Sequence, residues 1–325
     1  MKAAQITTLD GPKALEIVDV PMPVPGQRDV LIGVRAAGVS FPELLQTRGQ
    51  YQDKPPLPYV PGAEVAGEVI SAPDGSGFSL GDRVAAFTIR GGFAERATAD
   101  ATLTFHLPRN VTFEQGSGLG LNYLTAYFGL VERGRLVVGE SVLVHGAAGG
   151  VGTAAIQIAK AFGAGRVTGI VSNDAKGAIA LAAGADDFVL VDGFRAAVAA
   201  AGNVDIVVDP VGGDRFTDSL RCLRDDGRLL VIGFTAGEIP TVQVNRLLLN
   251  NVSVVGVGWG AYIRTRPGYA AQQWSAILPH IESGALSPVV GSVHTLEDAA
   301  EALIELDERR ATGKVVLFLP ETSGW

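Results

Sequence analysis

Between residues 141 and 257, six short apolar runs at 142–145, 167–171, 188–191, 206–208, 229–232 and 252–257 alternate with stretches of helical composition. This alternation restricts the fold more than any other feature of the chain. The stretch 150–162 is alanine-rich with Ile156, Ile158 and Ala159 on one face, 175–183 repeats that composition, and 215–223 is amphipathic. Strands buried on both faces read as near-continuous apolar runs, and strands joined by crossover helices run parallel. The pattern therefore predicts a doubly wound parallel sheet of six strands.

The first run leads into Val142-Leu143-Val144-His145-Gly146-Ala147-Ala148-Gly149-Gly150-Val151-Gly152. A glycine-rich turn between a strand and a helix lets backbone amides approach a pyrophosphate, which makes Gly146, Gly149, Gly150, Val151 and Gly152 candidate dinucleotide contacts. In the strict G-x-G-x-x-G pattern the first glycine falls at position 147, here Ala147, while Gly149 and Gly152 keep the other two places. The competing reading is a turn that needs glycine only for packing, and the six alternating units around it weigh against that. An acid about 20 residues past such a turn grips the ribose of NAD. Val171 stands there instead, followed by Ser172 and Lys176, a hydroxyl and a cation suited to a 2′-phosphate. NADPH is expected over NADH. Two alternatives stay open: Asp174 in the ribose role, or Ser172 or Asp174 as a helix cap beside a solvated Lys176.

Eleven of the 17 prolines precede residue 109 and none falls between Pro108 and Pro210, so a different architecture ends near residue 120. Runs at 2–8, 15–20, 30–36, 64–71, 83–87 and 94–97, broken by turn formers, predict a partly open β-barrel. Beyond residue 261 the sequence predicts helices at 272–281 and 296–307 and a last strand at 314–319 that returns to the first domain. A formal charge of −8 without a Lys/Arg block gives no electrostatic footprint for nucleic acid or an anionic membrane. No apolar run approaches the ~20 residues of a membrane span, and the first residues lack a signal-peptide pattern, so a cytoplasmic location is expected. Cys222 is the single cysteine, and His106, His145, His280 and His294 are scattered. Neither a disulfide, a multi-cysteine zinc site nor a Ser-His-Asp constellation is readable. His145 reads as a hydrogen-bonded core residue beneath the turn.

Taken with that turn, several segments resemble the medium-chain dehydrogenase/reductase superfamily, in its zinc-free quinone oxidoreductase branch, similar to zeta-crystallin. They are Ala37-Gly38-Val39-Ser40-Phe41-Pro42-Glu43, Val60-Pro61-Gly62-Ala63-Glu64-Val65-Ala66-Gly67, Gly81-Asp82-Arg83-Val84, Gly91-Gly92-Phe93-Ala94-Glu95, Asp209-Pro210-Val211-Gly212-Gly213 and Gly313-Lys314-Val315-Val316. The resemblance spans nearly the whole chain. It implies a GroES-like, barrel-like catalytic domain formed by residues 1–120 and 262–325, a Rossmann NADP-binding domain at 121–261, and a cleft for nicotinamide. Zinc-dependent members carry cysteine and histidine in the first two motifs, where this chain has Ser40 and Ala63, so no catalytic metal is expected. Without a Lewis acid the acceptor must already be electrophilic, as a quinone is.

By the same resemblance Ser40 replaces a family asparagine near the nicotinamide, and Tyr51 matches a tyrosine that either orients a carbonyl or packs on Pro55 and Pro56. Thr125 matches a threonine that reaches the cofactor near its nicotinamide end. Gly233 and Phe234, with Val257, Gly258 and Trp259, match segments flanking the nicotinamide, although Phe234 and Trp259 are equally suited to filling an interface. The family closes its sixth strand by two-fold pairing, which predicts a homodimer. The expected activity is zinc-independent reduction of a quinone by NADPH. Its rivals are reduction of an enone, alkenal or enoyl thioester, and NADPH binding without turnover in a structural or redox-sensing role.

Overall fold

The computed structural model describes residues 1–321; positions 322–325, the end of the second catalytic segment expected above, lie outside them. The chain divides into two compact units. One comprises Met1–Leu121, Pro267–Glu282 and the chain from Ser287 onward; the other comprises Asn122–Arg266 and Ser283–Leu286. In chain order the strands of the first unit are β1 (Lys2–Ile6), β2 (Leu15–Asp19), β3 (Asp29–Val39), β4 (Glu64–Ser71), β5 (Arg83–Phe87), β6 (Arg96–Asp100) and β7 (Thr104–His106). The second unit holds β8 (Ser141–His145), β9 (Arg166–Val171), β10 (Asp187–Leu190), β11 (Val204–Asp209), β12 (Leu223–Val231) and β13 (Ser253–Gly256). The chain then returns to the first unit with β14 (Val290–Thr295) and β15 (Lys314–Phe318).

The first unit is a curled sheet of order β14-β15-β3-β4-β5-β7, with β6 also on β3 and a separate β1–β2 ladder. Strand β3 organises it, because its eleven residues pair with β4, β6 and β15. Val30, Ile32 and Val34 alternate into a core shared with Val65, Val84, Phe93, Leu303 and Leu317, the period-2 burial that one buried sheet face produces. The predicted last strand does return here, joining antiparallel to β3, and so sets Lys314 among residues far from it in sequence.

The second unit is the predicted doubly wound sheet, six parallel strands in the order β10-β9-β8-β11-β12-β13. Strand β8 is buried along its whole length, which explains its unbroken apolar run. Leu143, Ile170, Val207 and Leu229 form the core with Phe194 and Phe216 of the covering helices. The order reverses between β8 and β11, and ligands of such sheets sit there, at the carboxyl ends of the strands.

Several elements differ from the sequence expectation. The helix expected at 215–223 is only Phe216–Leu220, and β12 begins at Leu223 rather than at 229, because Arg224, Asp225 and Asp226 are exposed and mask its start. Strands β7 and β14 and the helices Phe41–Gln46, Phe194–Ala200 and Val244–Asn250 had no expectation. Strand β14 alternates half-buried and exposed residues and contains Gly291 and Ser292, so it carries little β-propensity of its own and is held by pairing with β15.

Candidate functional site

The turn after β8 has the geometry its glycines foretell. Gly146 takes φ +58°, the left-handed conformation that favours glycine, whereas Ala147 does not, so alanine is tolerated in the place of the first fingerprint glycine. Gly149 then caps the helix Gly150–Ala161 in extended conformation without a side-chain bond to its first turn. The first amides of a helix have no intrahelical acceptor, so the cap leaves a concave set of donors for an anion. A Cβ at Gly152 would collide with the Gly146 carbonyl oxygen, which fixes close contact between helix and turn. Buried Asn122 lies over Gly150, its Nδ2 2.5 Å from where a Cβ would stand.

The other candidates of the second unit lie in the segments that follow β9, β11, β12 and β13 and in the helical turn Leu124–Tyr127. Asp209, at the end of β11, accepts from the amides of Val211 and Gly212 at 2.9 Å each and shapes a loop that passes beside Gly146. Residues of the Gly233–Phe234 segment dock on that loop, Thr235 donating to the Pro210 carbonyl at 3.2 Å and Ala236 to the Val211 carbonyl at 2.9 Å. Thr125 is buried in the helical turn Leu124–Tyr127, beside which Tyr123 donates from its hydroxyl to Gln157 Oε1 at 2.7 Å, joining this segment to the turn's helix. Val257 packs on Gly129, and Trp259 opens the helix Trp259–Ile263 with its side chain 2% exposed. At the end of β9, Ser172 is exposed and Lys176 half-buried. The helix cap is Asn173, whose Oδ1 accepts from the Lys176 amide at 2.9 Å, so neither Ser172 nor Asp174 has the capping duty weighed for them above.

His145 is a core residue. Its Nε2 stands 2.8 Å from Ser219 Oγ, and since that hydroxyl donates to the Arg215 carbonyl, the imidazole donates from Nε2 and leaves Nδ1 as a buried acceptor with no partner among the described residues. Burial pushes its pKa down to about 4, and nearby Asp209 opposes only part of that, so the ring is neutral at pH 7. Cys222 is buried and its thiol is pushed up to about 11 by desolvation, which keeps it unreactive.

In the first unit Ser40 precedes the helix Phe41–Gln46 and donates from its amide to Glu43 Oε2 at 3.0 Å. The other Glu43 oxygen accepts from the Ala63 amide at 2.9 Å, so one carboxyl ties the first two resemblance motifs together. Burial pushes Glu43 up to about 7, against the pull of the Lys314 ammonium. Lys314 Nζ donates to Ser40 Oγ at 2.6 Å and to Glu64 Oε1 at 2.5 Å, and Glu64 Oε2 accepts from the Leu121 amide at 2.7 Å. Lys314, Glu43 and Glu64 are 1–3% exposed and Ser40 8%, so all four members of the network are buried. Tyr51 lies half-buried on the irregular segment after that helix.

Comparison with known proteins accounts for both units. Residues 26–109 match the alcohol dehydrogenase GroES-like domain and residues 150–282 the zinc-binding dehydrogenase domain. The human quinone oxidoreductase is 36% identical, with 98% of each chain covered. The chain belongs to the medium-chain dehydrogenase/reductase superfamily, in its quinone oxidoreductase-like branch. Among solved structures, a probable oxidoreductase from Mycobacterium abscessus is 40% identical with TM-score 0.89, covering 98% of this chain and 99% of its own. The quinone oxidoreductase of Thermus thermophilus, solved also with NADPH, is 34% identical with TM-score 0.86 over 98% of this chain and 100% of its own.

Within this oxidoreductase family the sequence reading missed Asn122, Asp209, Glu43, Glu64 and Lys314 as site components. Glu43 had a local signal, since Ser40-Phe41-Pro42-Glu43 is a capping-box pattern with proline in the first turn. Lys314 stands in the motif Gly313-Lys314-Val315-Val316 given above, but nothing local points to its partners, which lie 250 and 274 residues away.

Proposed function

We propose that the protein is a zinc-independent NADPH:quinone oxidoreductase. When bound, NADPH supplies a hydride from its nicotinamide. The amides of Gly150, Val151 and Gly152 take the pyrophosphate, while the Gly149 amide, which donates to the Gly146 carbonyl at 2.9 Å, shapes the turn rather than contacting the phosphate. Ser172 and Lys176 take the 2′-phosphate at a strand end with no acid in the ribose position. Thr125, Gly233, Phe234, Val257, Gly258 and Trp259 hold the nicotinamide end, while Ser40 and Tyr51 face the acceptor.

The observation that carries the zinc-independent part is the Lys314 ammonium 2.6 Å from Ser40 Oγ. A catalytic zinc needs three protein ligands of thiolate, imidazole or carboxylate type. Ser40 here accepts from a cation, Ala63 offers a methyl group, and Glu64 is saturated by Lys314 and the Leu121 amide, so these residues do not fit a divalent ion. An acceptor reduced without a Lewis acid must be electrophilic by itself, which favours a quinone. A phosphate-bearing thioester finds little charge to bind: Arg48 is held bidentately by Asp307 at 2.6 and 3.0 Å, and Arg90 pairs with Asp53 at 3.8 Å.

Dimerisation belongs to the same proposal. Strand β13 ends the sheet, and the helix Val244–Asn250 just before it leaves Val244, Leu248 and Leu249 each more than 70% exposed, an apolar patch suited to a second copy. No helix among the described residues is long and apolar enough to cross a membrane, in keeping with the cytoplasmic location we propose.

The test is oxidation of NADPH and of NADH with 1,4-benzoquinone, 9,10-phenanthrenequinone and 2-cyclohexenone. NADPH-dependent quinone turnover is the expected result. Turnover of the enone alone reassigns the protein to double-bond reduction, and quenched cofactor fluorescence without turnover of any acceptor makes it a binding protein.

A further inference from the structure

A buried lysine beside a buried serine has more than one use, and the direction of its hydrogen bonds decides which. An ammonium only donates, so Ser40 Oγ is an acceptor in its 2.6 Å bond with Lys314 Nζ. That bond occupies a lone pair of the hydroxyl and leaves its proton to be placed. Among the described residues the hydroxyl donates to Glu64 Oε1, but at 3.5 Å, the outer limit of a hydrogen bond, and that oxygen already takes the ammonium at 2.5 Å. The Ser40 hydroxyl is thus charge-polarised by the ammonium behind it and poorly satisfied as a donor.

The surroundings hold this arrangement rigidly. Lys314 is on β15, Glu64 opens β4, and Ser40 follows β3, the strand lying between those two in the sheet. Gly38 of β3 admits the pair, since a Cβ there would stand 2.7 Å from Lys314 Cε and 2.8 Å from Glu64 Oε1. Glu64 neutralises the ammonium and is itself anchored by the Leu121 amide at 2.7 Å. Three strands, a glycine opening and a saturated counter-ion thus converge on the orientation of one hydroxyl.

We propose that Lys314, oriented by Glu64, is a positioning residue that turns Ser40 into a hydrogen-bond donor for the oxygen of the acceptor, where negative charge develops as hydride arrives. The inference rests on the oxidoreductase reading above. Donors fixed before reaction and aimed at a developing oxyanion cost no reorganisation at the moment of transfer, and loss of one such donor typically slows turnover by about 10²–10³-fold. A short side chain, in place of the asparagine usual in the family, does this work because the ammonium polarises it.

The test is a double-mutant cycle on turnover of NADPH with 9,10-phenanthrenequinone, using wild type, S40A, K314M and S40A/K314M. NADPH affinity is measured in parallel by fluorescence quenching. Expected are a fall in kcat of at least tenfold for S40A, a similar fall for K314M, no further fall in the double variant, and unchanged NADPH affinity. Because K314M leaves Glu64 unpaired in the interior, E64Q/K314M is measured as well; it removes both charges together and is expected to melt near wild type yet turn over as slowly as K314M. Equal losses from K314M in the presence and absence of the Ser40 hydroxyl overturn the proposal, as does wild-type kcat in E64Q/K314M. A wild-type protein that turns over no acceptor sinks the oxidoreductase reading itself, a result distinct from an active enzyme whose two substitutions act independently.

Discussion

Two buried titratable side chains give the protein opposite responses to pH. Glu43 has its pKa raised to about 7 from the usual 4.5, so between those values the folded state binds the proton that the unfolded state has lost. Its contribution is full below about pH 4.5 and is lost as pH rises to about 7. His145 has its pKa lowered to about 4 from 6.5, so its contribution is full above about 6.5 and is lost as pH falls toward 4. The stability of wild type relative to a Glu43→Ala variant, measured by urea unfolding across pH 4.5–8, is expected to decline up to about pH 7 and then level off. A pH-independent difference contradicts the burial account. At the same scale, Ser172→Asp places a carboxylate at the end of β9 facing the proposed 2′-phosphate. It is expected to weaken NADPH binding roughly tenfold or more against NADH, about 1.4 kcal/mol or more of discrimination, read by fluorescence titration of both cofactors. The sequence offers Ser172 and Lys176 as candidates because the fingerprint sets their spacing. It hid Glu43 as a titratable site, since nothing local marks a glutamate that will be desolvated.

The strand–turn–helix Ser141–Ala161 was legible because its determinants are local: an apolar run, glycines where the turn demands them, and an alanine-rich helix. Gly152→Val forces a branched side chain against the Gly146 carbonyl, so it is expected to abolish cofactor binding and to destabilise the second unit by about 1–3 kcal/mol, read by NADPH fluorescence and thermal melting. Asn173→Ala removes one cap and is expected to cost about 1 kcal/mol with little effect on turnover. Elements that sequence reasoning missed depend on distant partners. Strand β14 reads as nothing until β15 supplies its ladder, with His294 Nε2 set 2.9 Å from Glu305 Oε2 on the helix Ala299–Asp307. The early residues of β12 are charged and exposed, and its ladder with β11 is irregular between Leu223 and Arg228, with β13 pairing only from Arg228 onward, so no alternation marks where the strand starts.

At the scale of the molecule, the alternation of strands and helices specified the parallel sheet and its edge, since right-handed crossovers leave few ways to order six such strands. The edge carries a further prediction: light scattering on a sizing column is expected to give twice the 33.7 kDa of the chain, and a Leu248→Glu variant to shift the protein toward monomer. What local patterns left unspoken was the return of the chain's end. Strand β15 delivers Lys314 to Ser40 across 274 residues, and no spacing rule reaches that far. That contact also bears on the proposed zinc independence, because the ammonium stands against Ser40, a position where the resemblance puts a metal ligand in zinc-dependent members. The most direct measurement is therefore the rate of NADPH oxidation by 9,10-phenanthrenequinone for protein dialysed exhaustively against EDTA, with its metal content determined on the same sample. Full turnover at negligible zinc is the predicted result; turnover that vanishes with chelation and returns on adding zinc contradicts it.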